Sequence, residues 1–394
     1  MQYCLFDDYS WEQLLPLTFT RSVADLRIGI DSIAEKWQRI LVEKPYILSQ
    51  DYLQYSRLEE GPCTYINSSI IPNDELLADI KKLKSGEGLN YNSKLIALKP
   101  SKTFFNLNEL IENNSCQLIS YNSPLITIER PWDIFTKNGL VLKQDFVNYT
   151  NGRNSAKLSN TNTIIGDNIF VEKGVTAEAC IINCSEGPVY LGKGANLMEG
   201  SIIRGPLSMG ESSTLKLGTK IYGPTTIGPH SKVGGELNNV VIQGFSNKAH
   251  DGFLGNSVIG AWCNIGADTN TSNLKNNYAE VRLWSYTEKR FIKTGEQFCG
   301  LIMGDHSKCG INTMFNTGTV IGVSANIFGE GFPRNIIPSF AWGGKNGFMT
   351  YKYDKAMEVA EIVMGRRGIE LDKRERSILK HIFDTSAEYR TWEK

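Results

Sequence analysis

The sequence predicts a three-part chain: an α/β layer domain over residues 1–150, a single-stranded left-handed parallel β-helix over 160–340, and a helical extension over 345–394. Three observations carry this expectation. Strand-like and helical stretches alternate in the first part, an apolar residue returns every six positions through the middle, and helical spacing resumes after Pro338.

In the first part, short runs of strand-forming residues stand at 3–6, 46–48, 63–66, 95–98 and 117–119, with helical stretches at 74–83 and 106–111 between them. Alternation of this kind builds a layered domain on a mainly parallel sheet. Residues 148–157, rich in Asn, Gly, Ser and Thr, read as a linker.

The middle part rests on its repeat. Counted in sixes, the residues are Leu191, Leu197, Ile203, Met209, Leu215, Ile221, Ile227 and Val233, all apolar. Four places after each stands a mostly small residue: Ala195, Ser201, Leu207, Ser213, Thr219, Thr225, Ser231 and Leu237. The pattern returns at Met303, Cys309, Phe315, Ile321 and Ile327, with shorter copies at Ile165 and Val171 and at Phe253, Ile259 and Ile265. Against a 41% apolar background, the first run arises by chance about once in a thousand trials. A period of six fits neither a helix (about 3.6) nor an amphipathic strand (about 2). It fits a triangular coil with three short faces. The large anchor points inward, a small residue sits at the corner, and glycines permit the corner torsions. Such coils are stable only as a stack.

The register slips between Val233 and Phe253 and again between Ile265 and Met303. Slips in a solenoid are loops pushed out of one face, where function concentrates. In the third part, 354–364 and 373–383 read as helices, with Ala356, Val359, Ala360 and Val363 at helical spacing. Arg366-Arg367 and Lys373-Arg374 flank Gly368. The expectation is a solvated cap over the open end of the coil, the alternative a site for a phosphate or a partner.

Lys+Arg and Asp+Glu both count 42, which argues against a global attraction to nucleic acid or membrane. There is no apolar run long enough for a spanning helix, and the start, Met1-Gln2-Tyr3-Cys4-Leu5-Phe6-Asp7-Asp8, lacks the basic segment of a signal peptide. The cysteines at 4, 63, 116, 180, 184, 263, 299 and 309 form no zinc-like doublets. A cytoplasmic protein with reduced cysteines and no metal cluster of its own is expected.

Candidate chemistry starts from the histidines: His230, His250, His306 and His381. His230 and His306 stand three after Ile227 and Met303, and His250 takes the same place in a hexad counted from Asn247, a place expected to point outward. An outward imidazole on a rigid coil suits a general base, because its ordinary pKa lies near neutrality. A solvated histidine without a role is the plain alternative. His250 is set apart by its surroundings, Ser246-Asn247-Lys248-Ala249-His250-Asp251-Gly252-Phe253-Leu254-Gly255, inside the first slip. Asn264-Ile265-Gly266-Ala267-Asp268-Thr269 and Asn273 follow.

These stretches resemble the acetyltransferase half of the bifunctional N-acetylglucosamine-1-phosphate uridylyltransferase / glucosamine-1-phosphate acetyltransferase family, and more closely a divergent branch known from Bacteroidetes-type bacteria. That family has a Lys-Ala-Gly-His stretch followed by Leu-Gly, then Asn-Ile-Gly-Ala-Gly-Thr, then Asn-Tyr. The likeness covers residues 230–330, and the domain order covers the whole chain. It implies an acetyl-CoA-dependent N-acyltransferase on an amino-sugar phosphate of the glucosamine-1-phosphate kind, serving nucleotide-sugar synthesis. It implies that His250 takes the proton from the sugar amine, that Glu236 holds the sugar or the histidine, that Asn273 lies on the sugar side, and that the backbone at Ala267 faces the thioester. It also implies a homotrimer. The family's Lys two places after the Glu is Asn238 here, and its Tyr after the Asn is Leu274. Lys248 is the candidate to supply the missing charge, and His306 is the reserve candidate for the base.

The amino-terminal half resembles a Rossmann-like sugar nucleotidyltransferase domain with a departure. The family's Leu-x-x-Gly-x-Gly-Thr-Arg-Met loop cradles phosphates on backbone N–H groups. The corresponding run, Leu5-Phe6-Asp7-Asp8-Tyr9-Ser10-Trp11, has no glycine. Leu15-Pro16-Leu17-Thr18 survives, and Arg21-Ser22-Val23-Ala24-Asp25-Leu26-Arg27-Ile28-Gly29 resembles the later Arg/Lys-Pro-Leu segment. Arg21 and Arg27 are candidates for phosphate contacts, and Asp25 for a place near Mg²⁺. The alternative is structural, with Arg21 capping the turn and Asp25 paired with an arginine. Two other functions stay open: a sugar-1-phosphate nucleotidyltransferase whose coil serves only to oligomerise, and a non-catalytic nucleotide-sugar-binding scaffold.

Overall fold

The computed structural model describes residues 2–53, 55, 58–113 and 115–393. The chain forms two compact units. One comprises Met1–Leu14, Thr20–Leu26 and Asp31–Arg130, the other Leu15–Phe19, Arg27–Ile30 and Pro131–Lys394. The last change from one unit to the other falls at 130/131.

The first unit is built on a six-stranded sheet of β1 (Gln2–Phe6), β2 (Tyr46–Leu48), β3 (Cys63–Asn67), β4 (Glu87–Tyr91), β5 (Lys94–Lys99) and β6 (Gln117–Ser120), in the order β2-β1-β3-β5-β4-β6. β1 runs parallel to β2 and β3, β5 runs antiparallel to β3 and β4, and β6 runs parallel to β4. A single strand is thus reversed in a mainly parallel sheet, as the alternating pattern predicts. Cys4, Leu5 and Phe6 are all buried, the unbroken apolar run of a strand covered on both faces. β4 escapes the sequence pattern because Gly88 lies where any Cβ would meet the Leu98 side chain at 2.7 Å and the Ala97 carbonyl at 2.9 Å. The helix Ile33–Leu41 was also not foreseen, although Ser32 and Glu35 form a complete capping box at its start.

The second unit is the solenoid with its attachments. Every anchor of the first run, from Leu191 to Val233, is at most 1% exposed. Anchors three hexads apart stack in parallel register: Leu197 on Leu215 on Val233, Ile203 on Ile221, and Leu191 on Met209 on Ile227. Each coil has three faces, and each fully buried anchor contributes about 1.5–3 kcal/mol. The small residues are also inward. Ser201, Ser213 and Thr219 donate their hydroxyls to the carbonyls of Met198, Gly210 and Lys216 at 2.6–2.8 Å, closing the corners. The anchors of the second run are buried as well. Two of the shorter copies are off by one: Ile165 pairs with outward Asn183 and Phe253 with outward Glu236, while Ile164 and Leu254 take the inward places.

The helix Asn138–Thr150 and the segment Arg27–Ile30 lie on one solenoid face. Thr226 donates to the Gly29 carbonyl at 2.7 Å, and Asn138 and Asp145 accept from the Gly29 and Ile30 amides. At the far end a hairpin, Ala341–Gly344 with Gly347–Thr350, closes the stack, and Phe348 and Trp392 pack on its core. The helices Tyr353–Gly365 and Lys373–Thr385 complete the extension.

The slips have concrete form. A regular coil would bring Asp251 beside Val233, but the structure pairs Lys248 with it, so that coil is shortened. The second slip is an excursion carrying an antiparallel hairpin, Arg282–Ser285 with Arg290–Lys293.

Candidate active site

The shortened coil creates the site. Asn247–Lys248 forms one short face, residues 249–252 turn the corner, and the strand from Phe253 begins the next face. This corner is packed between those of its neighbours. A Cβ on Gly234 would meet the Ala249 carbonyl oxygen at 2.6 Å, and one on Gly252, where φ is +110°, would meet the Thr269 carbonyl oxygen at 2.2 Å. Only glycine serves at these close approaches. The packing leaves the His250 side chain exposed at the corner, at one end of a groove of about 660 Å³.

The groove runs along the Asn247 face. Its floor is a row of outward side chains in parallel register, Lys232, Asn247, Asn264 and Lys308. His250 and Ala267 lie at one end, Phe245 and Trp262 at the other. The outer wall is the end of the helix Tyr353–Gly365, with Val363, Arg366 and Arg367. Arg367 donates to the Asn247 side chain at 3.4 Å. Burial lowers the Lys308 pKa, and its ammonium donates to the His306 carbonyl at 2.8 Å. Phe245 stacks between His230 and Trp262, at centroid distances of 4.9 and 4.3 Å. The groove thus has a basic wall, an aromatic end and an imidazole end, a shape suited to a long anionic ligand with one reactive terminus.

The structure brings His250 and Ala267 together and separates the other expected residues. Glu236 and Asn273 are not among the described groove residues but belong to the face after the His250 corner. Glu236 accepts from the Tyr222 hydroxyl at 2.6 Å. Asn273 lies over Gly255 and donates to the Asn256 side chain at 2.8 Å. Lys248 corrects the sequence reading: it is 2% exposed and its ammonium donates to the carbonyls of Gly234, His250 and Asp251 at 2.9, 2.8 and 3.3 Å. A charge turned into the coil does not meet a sugar. His306 is corrected likewise. It is not outward but 3% exposed, stacked on Trp262, with Nε2 3.7 Å from the Glu375 carboxylate of the last helix. His230 and His306 share a left-handed corner with Phe245 and Trp262, whereas His250 occupies a different corner, because the hexad counts from Lys248 and not from Asn247.

Sequence reasoning offered a phosphate or partner site at Arg366-Arg367 only as the alternative to a solvated cap, and it missed Lys232 and Lys308. Lys232, Lys308, Phe245 and Trp262 lie at outward or corner places of the repeat, which the six-residue count registers without ranking.

In the α/β unit, the chain leaves β1 toward one neighbour and returns to the other, which marks a ligand crevice at the strand ends. Asp7 follows β1 there, fully buried, and accepts from the Ser22 and Ser49 hydroxyls and the Val23 amide. Burial raises its pKa to about 7 against these donors. Asp8 accepts from Lys94, Asn67 and the Ser10 amide at 2.8–2.9 Å. Burial would raise its pKa, but Lys94 and the other donors outweigh it and hold the carboxyl below its usual range. Asp25 accepts from the Tyr55 hydroxyl. These carboxylates are taken up by protein donors, and among the described residues no three His, Cys, Asp or Glu side chains converge. Arg27 is a further correction: its guanidinium donates to the Gln243 and Ile30 carbonyls and fastens its own segment to the solenoid. Arg21 and Asp25 belong to the other unit.

Residues 3–154 match the sugar nucleotidyl transferase family. The chain is 29% identical over 231 residues to the bifunctional protein GlmU of Methanococcus vannielii, covering 56% of this chain and 47% of that one. It is 31% identical over 218 residues to its counterpart in Methanococcus aeolicus, covering 55% and 46%. The chain is similar to these bifunctional proteins over about half of its length. The chain is also 28% identical over 229 residues to a bifunctional sugar-1-phosphate nucleotidylyltransferase/acetyltransferase of Sulfurisphaera tokodaii, covering 56% and 49%. It spans about half the length of the curated relatives it matches.

Proposed function

We propose that the solenoid transfers an acetyl group from acetyl-CoA to the amine of a sugar phosphate of the glucosamine-1-phosphate kind, with His250 as general base. The observation that carries this reading is the groove that joins an exposed imidazole and the Ala267 backbone to a wall bearing Arg366 and Arg367. A coenzyme A tail matches it: phosphates against the guanidinium groups, the pantetheine arm along the floor, and the thioester at the imidazole end. The sugar phosphate then lies on the adjoining face with Glu236 and Asn273.

A sugar ammonium loses its first proton to solvent before its nitrogen can attack. His250 accepts the second N–H proton as the C–N bond forms, and a backbone N–H at Ala267 stabilises the oxyanion. When the C–S bond breaks, the imidazolium returns the proton to the departing thiolate, giving an amide and free coenzyme A. A homotrimer packed through the flat solenoid faces is part of the proposal, and the exposed Ile181 and Ile202 on one outward row support it. The α/β unit is proposed to hold a nucleotide sugar or sugar phosphate.

The test is mass-spectrometric measurement of N-acetylated product from acetyl-CoA and glucosamine-1-phosphate. His250→Ala is expected to lower kcat about 10²- to 10⁴-fold with little change in KM for acetyl-CoA. Equal activity in both proteins would end the reading.

A further inference from the structure

Lys248 breaks the rule of the solenoid at the one coil that carries His250. The inward column to which it belongs reads Leu197, Leu215, Val233, Lys248, Ile265, Cys309 and Ile327, so an ammonium stands where neighbouring coils place apolar groups. Burying an ammonium is costly unless its donors are met. Here three donors meet three acceptors. Two of the acceptors, the His250 and Asp251 carbonyls, belong to the site corner, and the third, Gly234, belongs to the corner of the preceding coil. An apolar residue would fill the same space without fixing those carbonyls.

We propose that Lys248 is a positioning residue for acyl transfer: its buried ammonium pins the His250 and Asp251 carbonyls to the coil behind them and thereby holds the imidazole at the mouth of the groove. This rests on the proposed role of His250. Burial lowers the Lys248 pKa to about 8, while Asp251 on its own corner, Asp268 on the next corner and Cys309 on the following coil oppose the shift. Burial raises the pKa of the Cys309 thiol, so that group stays neutral while Lys248 titrates. Loss of the ammonium proton leaves two donors for three carbonyls, and the corner loosens.

The experiment uses the full chain. Lys248→Met restores the apolar column, so a merely structural role predicts an equally active protein. The positioning role predicts a thermal midpoint equal to or above that of the unaltered protein. It also predicts kcat about 10- to 100-fold lower, with KM for acetyl-CoA within about twofold. The unaltered protein should lose kcat as pH rises through about 8, and the variant should lack that limb. A variant as fast as the unaltered protein overturns the proposal. So does a kcat in the unaltered protein that stays flat from pH 7 to 10, which needs no variant to fold. Activity retained in His250→Ala would instead overturn the underlying reading, so the two failures are distinguishable.

Discussion

Gly252→Ala probes how tightly the site corner is held. The added Cβ would stand 2.2 Å from the Thr269 carbonyl oxygen and 2.9 Å from its carbon, at a φ of +110°. An ordinary C···O contact is about 3.3 Å, so the corner must yield by about 1 Å. The backbone strain costs about 1–3 kcal/mol and the forced displacement a similar amount, about 2–6 kcal/mol together. Gly218→Ala supplies the comparison. Its φ is +68° and nothing lies within 4 Å of its Cβ position, so it costs only the left-handed penalty of about 1–2 kcal/mol. Urea unfolding of both variants should therefore place Gly252→Ala well below Gly218→Ala. A displacement of about 1 Å at the corner should also lower kcat about 10²-fold in Gly252→Ala alone. Equal stability and equal turnover in the two variants would refute the close packing of coils around His250.

Two further predictions follow from the charges. Changing Arg366 and Arg367 together to alanine should raise KM for acetyl-CoA more than about tenfold with kcat little changed. The same pair should leave turnover of acetylpantetheine, which lacks the nucleotide phosphates, unaltered. Lys248→Met should be at least as stable as the unaltered protein near pH 7. The folded-state pKa of about 8 lies below the ordinary 10.5, so the burial penalty is complete below 8. It disappears as pH rises toward 10.5, and pH-dependent unfolding should show the variant's advantage shrinking over that window.

The solenoid was legible because a six-residue period leaves a mark at every inward place, from Leu191 to Val233 and from Met303 to Ile327. The α/β strands were legible where apolar runs are continuous, as at Cys4-Leu5-Phe6, and not at β4, where close packing demands Gly88. His250 stood out because it lies in a slip. Its geometry did not, because one residue of phase separates the outward place from the corner and Lys248 hides as a polar residue in an apolar column. The arginine pair of the basic wall was visible in the sequence as an alternative phosphate site, but its place over the groove was not. It depends on the helix Tyr353–Gly365 reaching back to residues about a hundred positions earlier in the chain, as the Arg367–Asn247 contact shows.

The central claim is that the groove beside His250 holds an acyl-CoA. A crystal structure with bound acetyl-CoA tests it most directly. The thioester should lie within hydrogen-bonding reach of the Ala267 amide and the His250 imidazole, with the phosphates against Arg366 and Arg367. Coenzyme A bound elsewhere, or lying in this groove with its thioester remote from His250, would contradict the account.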